Sequence, residues 1–269
     1  MTTSAPSARH EHHAASRPID EQVVVVTGGA RGLGRSITEA FLREGARVAI
    51  NFHTSDEAAG QLAGAHPGRA VAVRADVRDR AQVVALVAAA GEAFGAPVTT
   101  VVNNALVDFS FNGDDRPKAD EIGYQAFASQ FAGTVQGALH VIQAALPDFQ
   151  RAGSGRVINV GTNLFQYPVV PYHDYTAAKA ALLALTRTFA DDLGPRHITV
   201  NMVSGGLLRT TDASAATPDA VFDAIAAGTP LRSVTTPDEF ADAVLFFASP
   251  WARAVTGQNL VVDGGLVKN

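Results

Sequence analysis

Short apolar runs rich in β-branched residues alternate along the chain with stretches of helical periodicity. Gln22 to Thr27 reads QVVVVT; Ala46 to Asn51, Arg69 to Arg74, Thr99 to Val102, Gly155 to Val160, Ile198 to Val203 and Leu260 to Val262 follow. A run such as VVVV does not alternate polar with apolar, so it predicts a strand buried on both faces. Between the runs, the pattern predicts helices over 33–44, 56–65, 79–94, 120–149, 173–193, 219–227 and 237–248. Gly45 stops the first, Asp79 caps the third, and a bend is expected near Pro147. Residues 107–118, 163–171 and most of 205–235 read as loops. The alternation predicts an α/β fold: a doubly wound parallel sheet of about seven strands with helices on both faces. Residues 21–269 are expected to form one domain behind a flexible tail over 1–20. His10, His12 and His13 sit in that tail without a scaffold to preorganise them, so no metal site is expected.

Composition narrows the function. A chain of 269 residues, 47% hydrophobic, can bury a large core, and its 17% of charged residues predicts a surface that is small and Ala-rich or covered by partner subunits. The net charge of −5 argues against a nucleic-acid partner. The absence of Cys excludes disulfides, a thiol nucleophile and Cys-based metal centres. No apolar stretch approaches membrane-spanning length and no secretory core opens the chain, so a cytoplasmic location is expected.

Candidate chemistry begins at Thr27-Gly28-Gly29-Ala30-Arg31-Gly32-Leu33-Gly34, between the first strand and the first helix. Gly28 permits a tight turn, Gly32 lets backbone approach a pyrophosphate, and Gly34 permits close helix–strand packing. The helix N-terminus, entered at Leu33, adds favourable charge for phosphate. This predicts a Rossmann-like nucleotide site. NAD use commonly calls for an acid at the end of the second strand; here stand Asn51, Phe52 and His53. Asn51 would not repel a 2′-phosphate, and Arg31 can pair with one, so NADP(H) is expected, with His53 as a further contact or a solvated loop residue.

Tyr175 and Lys179 lie four apart on one predicted helix and share a face. A phenol needs a lowered pKa to work near neutrality, and the Lys179 ammonium together with an oxidised nicotinamide is expected to lower it. Tyr172 reads as pocket wall or core.

The glycine spacing, then Asp76-Val77, Asn103-Asn104-Ala105, the Tyr175-Thr176-Ala177-Ala178-Lys179 signature, Asn201, Gly257-Gln258 and Val262-Asp263-Gly264-Gly265, resembles the short-chain dehydrogenase/reductase family. The likeness runs through almost all of the expected domain. It implies an NAD(P)-binding oxidoreductase in which Asp76 and Val77 contact adenine and Asn103, Ala105 and Gly206 line the cofactor. Tyr175 would be the proton donor, Lys179 its partner and ribose contact, and Thr162 would replace the usual Ser. Thr134 stands where the family carries an Asn that holds a water, with Gln136 as another candidate. Leu106 and Gly205 also depart from the family pattern: the first is expected to crowd the cofactor pocket or force a different backbone, the second to loosen the loop beyond. The closest likeness is to bacterial 3-oxoacyl-(acyl-carrier-protein) reductases, implying an acyl-thioester substrate and acyl carrier protein as a partner; another ketone or alcohol, or a weakly catalytic NADPH-binding role, are the alternatives. Leu207 to Thr235, with Leu164, Phe165, Val169 and Val170, would cover an apolar pocket. Small residues from Ala132 to Ala138 and from Ala177 to Ala184 suit close helix approach, and the resemblance implies a homotetramer built through them.

Overall fold

Four consecutive valines, Val23–Val26, form the first strand, β1, and none is exposed. Val24 and Val26 enter one hydrophobic core, Val23 and Val25 the other, because successive side chains of a strand point to opposite faces. This is why the run carries no polar alternation. The computed structural model describes residues 17–268 apart from 114, 212, 213 and 216. His10, His12 and His13 lie outside the described residues.

Along the chain follow α1 (Gly32–Arg43), β2 (Arg47–Phe52), α2 (Asp56–Gly64), β3 (Ala70–Arg74), α3 (Arg80–Phe94) and β4 (Thr100–Asn103). Then come α4 (Tyr124–Phe131), α5 (Gly137–Ala152), β5 (Gly155–Thr162), α6 (His173–Leu193), β6 (Ile198–Gly205), α7 (Asp219–Gly228), α8 (Pro237–Ala248) and β7 (Asn259–Val262). The seven strands make one sheet in the order β3-β2-β1-β4-β5-β6-β7. Every pairing is parallel. Ile37 and Phe41 of α1 and Phe240 and Val244 of α8 fill one face; Val83 and Leu86 of α3, Val141 and Ile142 of α5 and Leu193 of α6 fill the other. The strand order reverses between β1 and β4, and a crevice opens there beyond the strands' carboxyl ends.

Three expectations are corrected. Ordered structure begins before Glu21: Ile19–Glu21 form a 3-10 turn, and the buried Gln22 side chain donates to the carbonyls of Arg17 (3.0 Å) and Ala248 (2.9 Å). The helix expected from 120 to 149 starts at Tyr124 and runs on to Ala152, with a π-helical stretch over Ala132–Gln136. Pro147 stays inside α5; it is exposed, so water can meet the carbonyl that its missing N–H leaves open. The irregularity sits instead where the backbone presses on its neighbours: a Cβ on Gly133 would lie 2.9 Å from Val107 Cβ, and one on Gly137 2.9 Å from Val77 Cγ2. Those two glycines therefore serve packing within the chain. Finally, Gly205 loosens nothing. It belongs to β6, pairs with Thr162 and Val262, and has Phe240 Cε2 2.9 Å from where a Cβ would be.

Candidate active site

The glycine loop crosses the mouth of the crevice. Gly28 (φ 61) and Gly32 (φ 51) take left-handed backbone that side chains disfavour. A Cβ on Gly34 would stand 2.0 Å from the Gly28 carbonyl oxygen, so only glycine allows α1 to start there. The loop is pinned from below. Thr27 Oγ1 donates to the Val102 carbonyl (3.1 Å) and accepts from the backbone N–H of Asn104 (2.9 Å) and Ala105 (3.1 Å). Asn104 Nδ2 donates in turn to the carbonyls of Thr27 (2.9 Å) and Gly28 (3.2 Å). The α1 N-cap, Arg31, is exposed and makes no side-chain cap, and no acid stands in the first turn. Those N–H groups suit a phosphate, with Leu33 half-buried behind them against the core. The cradle fits a dinucleotide.

At the adenine end, Asn51 is corrected. It is 2% exposed and spends its amide within the protein: Oδ1 accepts from Gly28 N–H (3.2 Å) and Nδ2 donates to the Ala75 carbonyl (3.0 Å). It braces the glycine loop against β2 and β3 and offers nothing to a cofactor. His53 lies beyond it, half-exposed, with Nε2 3.8 Å from the Asp76 carboxylate. Arg78 donates to both Asp76 oxygens, from Nε (3.0 and 3.1 Å) and Nη2 (2.8 Å), and holds that carboxyl below the usual range. Val77 is buried, and its carbonyl meets His140 Nδ1 at 3.0 Å.

Thr162, at the end of β5, and Tyr175 and Lys179, on α6, converge beneath the crevice, all of them buried. The Thr162 hydroxyl accepts from the Leu164 N–H at 3.3 Å and favours the ionised form of the Tyr175 phenol beside it, and Lys179 Nζ donates to the Val160 carbonyl at 2.6 Å. Burial pushes the Tyr175 phenol up to about 12, against the lowering pull of Thr162. Lys179 Nζ stands 5.7 Å from the Tyr175 ring centroid and is itself brought down to about 8 by burial. Behind this group is a cavity with room for about one water, lined by Asn103, Thr134, Lys179 and Val77 among others. Thr134 reaches it from the π-helical stretch, a backbone form common at functional sites, whereas Gln136 is exposed and does not line it. Asn103 Nδ2 donates to Asn159 Oδ1 (2.8 Å), which leaves Asn103 Oδ1 buried without a partner. Gly206 closes the far side, where a Cβ would lie 2.9 Å from Asn163 Nδ2; Asn163 donates to the buried Asp263 at 2.9 Å.

Sequence reasoning read residues 107–118 only as a polar loop and missed what it carries. Phe109 stacks on the Tyr175 ring (centroids 4.8 Å apart, 29° between planes) and the Arg116 guanidinium lies 4.4 Å from the Phe109 centroid. Arg116 Nη2 is bound to both oxygens of Asp174, at 2.7 and 2.6 Å. Phe111 and Tyr172 set their edges against Phe109, at 5.0 and 5.2 Å. The available signal was two phenylalanines flanking one serine inside an otherwise polar segment.

Residues 28–267 match the family described as Enoyl-(Acyl carrier protein) reductase. Over 255 residues the chain is 32% identical to a Short-chain type dehydrogenase/reductase of Picea abies, covering 91% of this chain and 92% of that one. The chain belongs to the short-chain dehydrogenase/reductase family. It is 32% identical to the 3alpha-hydroxysteroid dehydrogenase of Mediterraneibacter gnavus (91% and 97% covered) and 35% identical to the L-rhamnose 1-dehydrogenase (NAD(P)(+)) of Azotobacter vinelandii (93% and 98% covered). A Burkholderia cenocepacia short-chain dehydrogenase solved in complex with NADP superposes with a TM-score of 0.81 at 31% identity, covering 93% of this chain and 99% of that one. As a short-chain dehydrogenase/reductase, the chain is an oxidoreductase acting on CH–OH/C=O groups with a nicotinamide cofactor. The relatives named here carry steroid and sugar names and do not bring out the narrower likeness to 3-oxoacyl-(acyl-carrier-protein) reductases. Among the described residues no helix is long and apolar enough to cross a membrane.

Proposed function

We propose that the chain is an NADPH-dependent carbonyl reductase in which Tyr175 gives its proton to a ketone oxygen. The observation that carries this reading is the convergence of buried Thr162, Tyr175 and Lys179, the last one helical turn from Tyr175, at the crevice beside the glycine loop. When bound, the nicotinamide supplies a hydride to the carbonyl carbon or accepts one from the alcohol. The pyrophosphate would rest on Gly28, Gly32 and the first turn of α1, and Arg31 and His53 would meet the 2′-phosphate. Thr162 orients the carbonyl oxygen by donating to it, and Tyr175 protonates that oxygen as charge develops there. Lys179 places a cation near the resulting phenolate. The cavity shared by Lys179, Thr134 and Asn103 gives a water a place to return the proton, so the Thr134 hydroxyl takes over the role that the family gives an Asn.

For the substrate, the motif likeness favours a 3-oxoacyl thioester presented by acyl carrier protein. A relative named for a chlorinated cyclohexadiene diol, 32% identical, favours a cyclic ketone or alcohol instead. Assembly as a homotetramer belongs to the same reading; Ala180 and Ala184 remain exposed on α6 for such contacts. The test is single-turnover NADPH oxidation with a ketone panel, beside a separate NADPH titration. Tyr175→Phe is expected to lose about 10²–10⁴-fold in the chemical step with binding intact. Near-normal turnover by that variant would overturn the mechanism.

A further inference from the structure

We propose that residues 107–113 form a strap closed over the Tyr175 phenol, and that Phe109 must lift away before a carbonyl can reach it. The structure is then the self-occluded form of the enzyme. The inference rests on the reductase reading above, in which Tyr175 touches the ketone oxygen. A proton donor has to come within about 2.6–3.2 Å of the oxygen it serves. Here Tyr175 is 7% exposed and Thr162 4%. Phe109 lies across the face of the Tyr175 ring, and Phe111 and Tyr172 turn edges to the same ring, at 5.5 and 6.4 Å. Phe109 in turn carries the Arg116 guanidinium, 4.4 Å from its centroid. The neighbouring spaces stop short of the phenol. The one-water cavity is lined by Lys179, not by Tyr175 or Thr162. A cleft of about 690 Å³ is lined by Leu164, Phe165, Tyr172, His173 and Thr176, which flank Thr162 and Tyr175 in the chain, yet it too omits both. Such a volume suits a small-molecule substrate. Tyr172 belongs both to its wall and to the strap's mooring, because its hydroxyl accepts from the Gly113 N–H at 2.8 Å. Withdrawing the strap joins this cleft to Tyr175.

The strap is built to release. Residues 104–123 join β4 to α4 without helix or strand among the described residues. Connections longer than about 12–15 residues in a compact domain commonly cover active sites. The strap takes no part in the sheet. Its ties run through side chains: Gln130 Nε2 donates to the Val107 carbonyl (2.9 Å), Arg78 Nη1 to Asp108 (2.9 Å), and Gly113 N–H to Tyr172; beyond it, Arg116 is bound to Asp174. Asp108 (φ 51) and Gly113 (φ 57), both in left-handed backbone, bound the two phenylalanines. Contacts of this kind part without unfolding β4 or α4, as in the low-stability segments that move in other enzymes. Turnover then belongs to the open form and scales with the fraction of molecules that are open.

The experiment measures kcat/KM for acetophenone and for the acetoacetyl thioester of N-acetylcysteamine. Nitration of the tyrosines by tetranitromethane, mapped by mass spectrometry, runs beside it. Phe109→Ala is expected to raise kcat/KM for both ketones about 2–10-fold, the worth of one aromatic stack, and to speed Tyr175 nitration relative to the exposed Tyr124 by a similar factor. Tyr172→Phe, which removes only the hydroxyl that holds Gly113, moves both readings the same way. Phe109→Tyr keeps the ring and returns both. Nitration of Tyr175 as fast as that of Tyr124 in the unaltered protein, or an unchanged or lowered kcat/KM in natively folded Phe109→Ala, overturns the strap. If neither the unaltered protein nor any variant reduces either ketone, the reductase reading fails, and the nitration ratio between Phe109→Ala and the unaltered protein still decides the strap by itself.

Discussion

Asp174→Ala tests the clasp that holds the aromatic segment to α6. The side chains of Arg116 and Asp174 are 15% and 3% exposed, and the shortest contact between them is 2.6 Å. Removing one partner of a buried pair costs about 3–5 kcal/mol, because the other charge is left without compensation. Arg116 keeps a partial route to water, which places the loss near the lower end, about 3 kcal/mol. For a chain of this size each kcal/mol lowers Tm by about 2–4 °C, so a fall of about 6–12 °C is expected. Thermal unfolding followed by circular dichroism reads it. Replacing both residues, Arg116→Met with Asp174→Leu, removes the stranded charge and is expected to recover most of the loss. A Tm change below about 2 °C for Asp174→Ala would refute the reasoning, as would a double variant no more stable than the single one.

Arg31→Ala should weaken NADPH about 10–150-fold more than NADH, the worth of one charged hydrogen-bonded pair, in paired cofactor titrations; equal weakening would mean that Arg31 only shapes the loop. Stability should depend on pH through the buried pair. Lys179 titrates near 8 in the folded chain against 10.5 for the free group, so the unfolded chain binds more protons between those values and stability rises across that window. Tyr175, at about 12 when folded against 10.0, has the reverse sign, and stability falls above pH 10. Urea midpoints measured from pH 7 to 11 should show this rise and fall, and Lys179→Met should lose the rise.

The strands were legible because burial on both faces leaves an uninterrupted apolar run, as at Val23–Val26. The glycine loop was legible because Gly28, Gly32 and Gly34 each answer a local steric demand. Helical spacing put Tyr175 and Lys179 on one face, and the glycine loop with the order of the family motifs singled the pair out. What escaped was tertiary. The π-helical stretch depends on the approach of Val107 and Val77, which no local propensity records. Asn51 looked available because its neighbours in sequence do not include Gly28 or Ala75, which claim its amide. How completely the Tyr175 phenol is buried is likewise tertiary, and pair spacing says nothing about it. Phe109 itself was hidden by the polar residues around it.

On the NADPH reading proposed above, the brace at Asn51 bears on any attempt to retarget the enzyme to the cheaper, non-phosphorylated coenzyme. The obvious route is to plant a carboxylate at the end of β2, and Asn51→Asp is the most conservative change in shape. Yet it exchanges a donor for a second acceptor in front of the Ala75 carbonyl, at a buried position. The same residue supplies the acceptor that fixes Gly28, so the damage would reach the pyrophosphate cradle and weaken both coenzymes alike. Redesign should therefore leave position 51 untouched and work outward from it, at the exposed His53, where a carboxylate can face the ribose without unfastening the loop beneath.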